Sequence, residues 1–138
     1  MQVFKIYSFL LFLTVSLLAG VENRYPNLAL VNSGIKVIDI RTQGEWFQTG
    51  LFPKSYPITF FDERGNYNIS QFLSNLNKVV GKDQQFAILC RSGSRSKTVS
   101  NFLGRNGYNK VINLTGGINY SIKFGIRTEK YSKFKRYY

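Results

Sequence analysis

No histidine occurs anywhere in the sequence, and cysteine occurs once, as Cys90. The first absence removes the Ser-His and Cys-His pairs of nucleophilic catalysis, and with them any zinc site of mixed Cys/His type. The second removes any internal disulfide, which needs two cysteines. Acidic residues are scarce as well: seven Asp and Glu stand against nineteen Lys and Arg, giving a net charge of +12. That excess suits an anionic substrate without identifying one. If the chain performs covalent catalysis, Cys90 is the nucleophile, and it must be activated without an imidazole.

What remains is enough for one ordinary domain. The 138 residues are too few for two, and 43% of them are hydrophobic, which argues against a disordered chain. The opening "MQVFKIYSFLLFLTVSLLAG" looks like an address. Lys5 and the amino terminus supply a positive start, Ile6 to Leu18 is mostly apolar, and Ala19 and Gly20 are small. Residues 1–20 are therefore read as a cleaved signal peptide, which sends the protein out of the cytoplasm, to a periplasm. The alternatives are an uncleaved membrane anchor and a buried core helix; the apolar run is short for a span of roughly 20 residues. Export makes the lone cysteine conspicuous, because exported proteins usually pair their cysteines or have none. At the other end, residues 127–138 form a basic, aromatic tail, "RTEKYSKFKRYY". It is read as solvated and partly helical, with a composition that would suit an anionic membrane surface. Export argues against nucleic acid as a partner.

Between these ends, residues 21–126 read as alternating helices and strands. Residues 27–33 suit a short helix closed by Gly34, and "IKVIDI" (35–40) a buried parallel strand. Thr42 to Glu45 reads as a capping box that opens a helix with Trp46 and Phe47. A second strand is predicted over 57–61. Apolar residues at 69, 72, 73, 76, 79 and 80 predict an amphipathic helix capped by Asn68 and stopped at Gly81. "FAILC" (86–90) is a third strand, followed by a helix with Val99, Phe102 and Leu103 on one face. "KVINL" (110–114) is a fourth, and Gly116-Gly117 turns the chain into a last helix ending near Phe124, with Tyr120 and Phe124 as core aromatics. Strands alternating with helices imply an α/β fold: a parallel sheet flanked by helices, with ligands beyond the carboxyl ends of the strands.

Cys90 falls at such a strand end. The segment "CRSGSRS" (90–96) surrounds it with hydrogen-bond donors. A tight strand-loop-helix turn aims backbone N–H groups inward, the following helix adds its positive end, and Arg91 and Arg95 add full charges. All of these favour a thiolate, or an anionic group attached to the sulfur. Gly93 permits a positive φ. Ser92, Ser94 and Ser96 are candidate helix caps.

The chain resembles the single-domain rhodanese family of sulfurtransferases over about residues 28–126. "VIDIRTQGEW" is similar to the family's first signature, with Asp39, Arg41 and Glu45 in register; "ILCRSGSRS" is similar to its active loop; "GYNKVINLTGGI" is similar to the strand and turn that close the domain. Cysteine phosphatases and arsenate reductases carry five residues between cysteine and arginine, whereas four separate Cys90 from Arg95, a smaller cradle suited to one extra sulfur atom. Two stretches depart from the family pattern: Leu51-Phe-Pro-Lys-Ser55, and Ser121, where a tryptophan is frequent.

The resemblance implies a three-layer α/β fold with a central parallel sheet of four to five strands. It implies that Cys90 takes a sulfane sulfur from a small anionic donor such as thiosulfate, as a persulfide, and passes it to cyanide or a thiol. Arg91, Ser92, Gly93, Ser94, Arg95 and Ser96 would bind substrate, and Asp39 and Arg41 would brace the loops. Neither a metal nor an organic cofactor is implied, and a monomer is expected. The competing expectation is a non-catalytic module that binds a protein or senses redox state through Cys90.

Overall fold

A computed structural model describes residues 20–138. The signal-peptide reading rests on residues that lie, but for Gly20, outside this range. Among the described residues no helix is long and apolar enough to cross a membrane.

Five parallel strands form one sheet in the order β1-β5-β4-β2-β3, so the α/β expectation holds. Strands β2 (Lys36–Asp39), β4 (Phe86–Leu89) and β5 (Val111–Leu114) are its interior. Their near-continuous apolarity follows from having both faces covered. Side chains alternate between two cores. Ile38, Phe86 and Ile88 join Phe72 and Leu76 of α3 (Ile69–Leu76) and Val99 and Leu103 of α4 (Ser94–Arg105) on one side. Val37, Ala87, Leu89, Ile112 and Leu114 join Leu30 of α1 (Leu28–Asn32) and Ile118 of α5 (Gly117–Lys123) on the other. Burying each such large apolar side chain contributes about 1.5–3 kcal/mol. The result is three layers, with α2 (Gln43–Thr49) lying between β2 and β3 (Tyr56–Pro57) in the chain.

Several sequence expectations need correction, and one strand was not expected at all. The edge strand β1 (Glu22–Arg24) is absent from the sequence pattern: "ENR" has no apolar alternation, and only pairing with β5 makes it a strand. The strand expected over 57–61 is β3, two residues long. Beyond Pro57 the ladder slips, because Phe60 N–H donates to the Ile40 carbonyl while the Thr59 hydroxyl takes the Arg41 carbonyl. Helix α3 stops at Leu76, four residues before Val80; tight turns then tuck Val79 and Val80 into the core. Tyr120 is only half-buried and Phe124 is exposed, Tyr120 packing against both Tyr25 and Phe124 on the surface instead of filling the core.

The tail is neither helical nor free. Leu51 and Glu129 exchange two backbone hydrogen bonds, and Tyr131 packs on Trp46 and Phe47 of α2 while accepting from the Gln43 side chain. The strap therefore leans on the helix whose Glu45 reaches Arg95 beside the Cys90 loop.

Candidate active site

Strand β4 is the middle strand, and Cys90 follows its last residue at the carboxyl end of the sheet. The loop from Arg91 to Gly93 leads into α4, whose N-cap is Gly93 at φ +97. No side chain caps this helix, so Ser92, Ser94 and Ser96 are not caps. The loop is instead held from outside. The N–H groups of Ile118 and Asn119 at the start of α5 donate to the carbonyls of Cys90 and Arg91 at 2.9 and 3.1 Å. Any side chain on Gly117 would overlap those two carbonyl oxygens, which is why the turn before α5 needs glycine there.

With its carbonyls pulled outward, the loop turns N–H groups inward to the sulfur. Gly93 N–H donates to Cys90 Sγ at 3.1 Å and Ser96 N–H at 3.3 Å. The Ser96 hydroxyl lies 3.4 Å from Sγ. Cys90 is fully buried, so these donors act in a setting poor in water, where a hydrogen bond to an anion is strong. Such a concavity of N–H groups holds a sulfur anion, or a second sulfur attached to the first.

Arg95 is committed elsewhere. Its guanidinium grips the Glu45 carboxylate with both prongs, at 2.7 and 2.8 Å. Glu45 also accepts from the Thr42 N–H and hydroxyl, closing the capping box of α2. Burial pushes the Glu45 pKa up, but the hydrogen bond from Arg95, those from Thr42 and the charge of Arg95 outweigh it, and the carboxyl is held at about 2. The Arg95 pKa is raised, chiefly by the hydrogen bond to Glu45 against the opposing effect of burial, with the charges of Glu45, Cys90 and Asp39 adding to it. Arg95 thus anchors the loop to α2 and contributes its charge from a distance.

Asp39 and Arg41 form a second, fully buried pair, the guanidinium meeting the carboxylate at 2.8 Å through Nη2 and 3.0 Å through Nε. Arg41 also donates to the Thr49 hydroxyl and the Gly50 carbonyl, so it ties β2 to the end of α2. Arg91, Ser92 and Ser94 lie at the rim. Of the loop residues named from sequence, the structure brings Gly93 and Ser96 to the sulfur, turns Arg95 to Glu45, and leaves Arg91, Ser92 and Ser94 exposed with no hydrogen bond to it.

Two further residues reach the site. Asn113 of β5 accepts from the Ser96 hydroxyl at 2.7 Å, and its amide donates to Asn23 of β1 at 3.0 Å. A buried asparagine amid "VINL" was the available signal, since a buried polar side chain needs a partner. Asn23 and Asn113 line a cleft of about 300 Å³ with Ser92, Gly93, Lys97, Thr115 and Gly116. A larger cavity, about 540 Å³, lies between β3, α3 and the tail and includes none of the loop residues.

Residues 27–121 match the rhodanese-like domain. The chain belongs to that family. A protein of Rickettsia prowazekii named RP600, described as uncharacterized, is 33% identical over 94 residues, covering 66% of this chain and 75% of its own length. A sulfurtransferase of Allochromatium vinosum is 31% identical over 84 residues, 61% of this chain and 68% of that one. Among solved structures, Rv0390 from M. tuberculosis superposes with a TM-score of 0.58 at 20% identity, over 71% of this chain and 80% of that one, which is a likeness of fold. The rhodanese-like signatures fall where the geometry is densest. The first spans Asp39, Arg41 and Glu45, the second is the sulfur-binding loop, and the third carries Asn113 and the Gly116-Gly117 turn. The departures sit in quieter places: Ser121 is fully buried and bonds the Ile118 carbonyl within α5, and Leu51 anchors the tail.

Proposed function

We propose that this rhodanese-like protein is a sulfurtransferase that carries a sulfane sulfur on Cys90. The observation that supports this best is the sulfur's surroundings: two backbone N–H groups and one hydroxyl converge on a fully buried thiol. The Cys90 thiolate attacks the outer sulfur of thiosulfate. A sulfur–sulfur bond forms, the one in thiosulfate breaks, and sulfite leaves with the electron pair. The loop's donors then stabilise the persulfide anion without imidazole or metal. An acceptor, cyanide or a thiolate, attacks the terminal sulfur, and Cys90 departs as thiolate. The exposed charge of Arg91 offsets repulsion between thiosulfate and the site. On the strength of residues 1–20, the reaction takes place outside the cytoplasm.

The test is intact mass after incubation with thiosulfate. The expected result is a gain of one sulfur atom, reversed by cyanide or excess thiol and absent in Cys90→Ser. A folded wild type that gains nothing would leave Cys90 to binding or redox sensing.

A further inference from the structure

Ser96 Oγ stands among three neighbours and has one proton to give. Cys90 Sγ is 3.4 Å away, the Gly93 carbonyl 3.1 Å, and Asn113 Oδ1 2.7 Å. The shortest of these contacts takes the proton. Asn113 presents its oxygen, not its NH2 group, because its Nδ2 donates to Asn23 Oδ1 at 3.0 Å. An amide can offer either end, and its partners decide which. Asn113 thus meets Ser96 with its oxygen and Asn23 with its nitrogen, and it draws the Ser96 proton away from sulfur. Ser96 then turns a lone pair toward Cys90 and accepts from the thiol S–H.

That arrangement suits only one state of the cysteine. Once Sγ is an anion, or is bonded to a second sulfur, it has no proton to give, and a lone pair facing it is repulsive. Rotation about the Ser96 Cβ–Oγ bond moves the hydroxyl proton onto the sulfur, and Asn113 Oδ1 loses its donor. We propose that Ser96 is a two-position hydroxyl rotor for the Cys90 sulfur, and that Asn113 and Asn23 are positioning residues that bias it toward the thiol position. The chain of contacts is not a proton wire, since amide groups do not pass protons readily. It sets which end of a hydroxyl the sulfur meets. In this way β1, an exposed edge strand, bears on the central strand's nucleophile through a contact between residues ninety positions apart.

This inference rests on the reading of Cys90 as the sulfur carrier, yet it is measurable on the resting thiol. The experiment is the rate of Cys90 alkylation by iodoacetamide at one fixed pH, alongside thiosulfate loading followed by mass. Removing the competing acceptor in Asn113→Leu frees the Ser96 proton for sulfur and speeds alkylation about fivefold, the worth of one hydrogen bond. Asn23→Ala, an exposed position with little bearing on folding, acts in the same direction by releasing the Asn113 amide. Ser96→Ala slows alkylation by a similar factor, and the double variant Ser96→Ala/Asn113→Leu matches Ser96→Ala alone. A residue that merely supports the loop would move all of these variants in one direction. Slower alkylation in both Asn113→Leu and Asn23→Ala, unchanged rates in both, or additive effects in the double variant would overturn the rotor. Failure of wild type to take sulfur from thiosulfate would overturn the sulfurtransferase reading and leave the rotor standing.

Discussion

Arg95 and Glu45 meet in a two-pronged ion pair across fifty positions of sequence, joining the first turn of α4 to the first turn of α2. The pair ends at the carboxylate that closes the α2 capping box, so one side chain secures both a helix start and the sulfur-binding loop.

Its pH dependence has a definite sign. The Glu45 carboxyl falls from an ordinary 4.5 to about 2 in the folded protein. The unfolded chain therefore binds the proton more readily, and stability rises with pH across that interval. The contribution is complete above about 4.5 and is lost as the pH falls toward 2. Glu45→Gln should melt a few degrees below wild type at neutral pH, with the gap closing between pH 4.5 and 2. Thermal unfolding followed by circular dichroism across that range is the measurement. A gap that stays constant down to pH 2 would refute the assignment.

Arg91 and Arg95 should separate cleanly. Arg91 is exposed and enters no ion pair among the described residues, so Arg91→Ala should keep its stability, raise the thiosulfate KM and weaken its dependence on salt. Arg95→Ala strands Glu45 and loosens the loop, so it should lower the melting temperature and kcat together. Steady-state kinetics at two ionic strengths, beside thermal melts, distinguish them. A wild-type KM and salt response in Arg91→Ala would reduce that residue to a surface charge.

Gly117 and Gly34 offer a matched comparison, at φ +56 and +78. A methyl group at Gly34 meets open space, so Gly34→Ala should cost only the backbone penalty, about 1 kcal/mol, with sulfur loading unchanged. A methyl at Gly117 collides with the Cys90 and Arg91 carbonyls, which cannot move without distorting the loop. Gly117→Ala should lose a further 1–3 kcal/mol or so and most of its sulfur loading. Chemical denaturation and intact mass read the two quantities. Equal behaviour of the variants would mean that the turn does not shape the loop.

Aryl phosphates should not be hydrolysed. Four residues separate Cys90 from Arg95, and the Arg95 guanidinium is spent on Glu45, so no free fork remains to clamp a phosphoryl group. Release of p-nitrophenol by wild type but not by Cys90→Ser would contradict this.

Much was legible before the fold. The strands β2, β4 and β5 announce themselves because burial on both faces demands continuous apolar residues. The capping box at Thr42 and Glu45 and the Asn68 cap are local, closed within three residues. The loop "CRSGSRS" carries its chemistry in its residue types, since hydrogen-bond donors and arginines crowded around a lone cysteine suit a loop that holds an anionic group. The residues that hold this loop were not legible, for the opposite reason. Strand β1 has no pattern of its own and exists because β5 offers it an edge. Ser96 looked like a cap, yet Gly93 occupies the cap position and Ser96 turns inward to sulfur. Whether Arg95 faced the sulfur or Glu45, and which partners met the two ends of the Asn113 amide, depended on side chains fifty, seventeen and ninety positions away. Sequence alone determined the candidate nucleophile, the donor-rich loop around it and the buried strands, because each rests on near neighbours or a simple period. The tertiary structure alone decided which donors reach the sulfur, because that depends on how segments distant in the chain are packed against the same strand end.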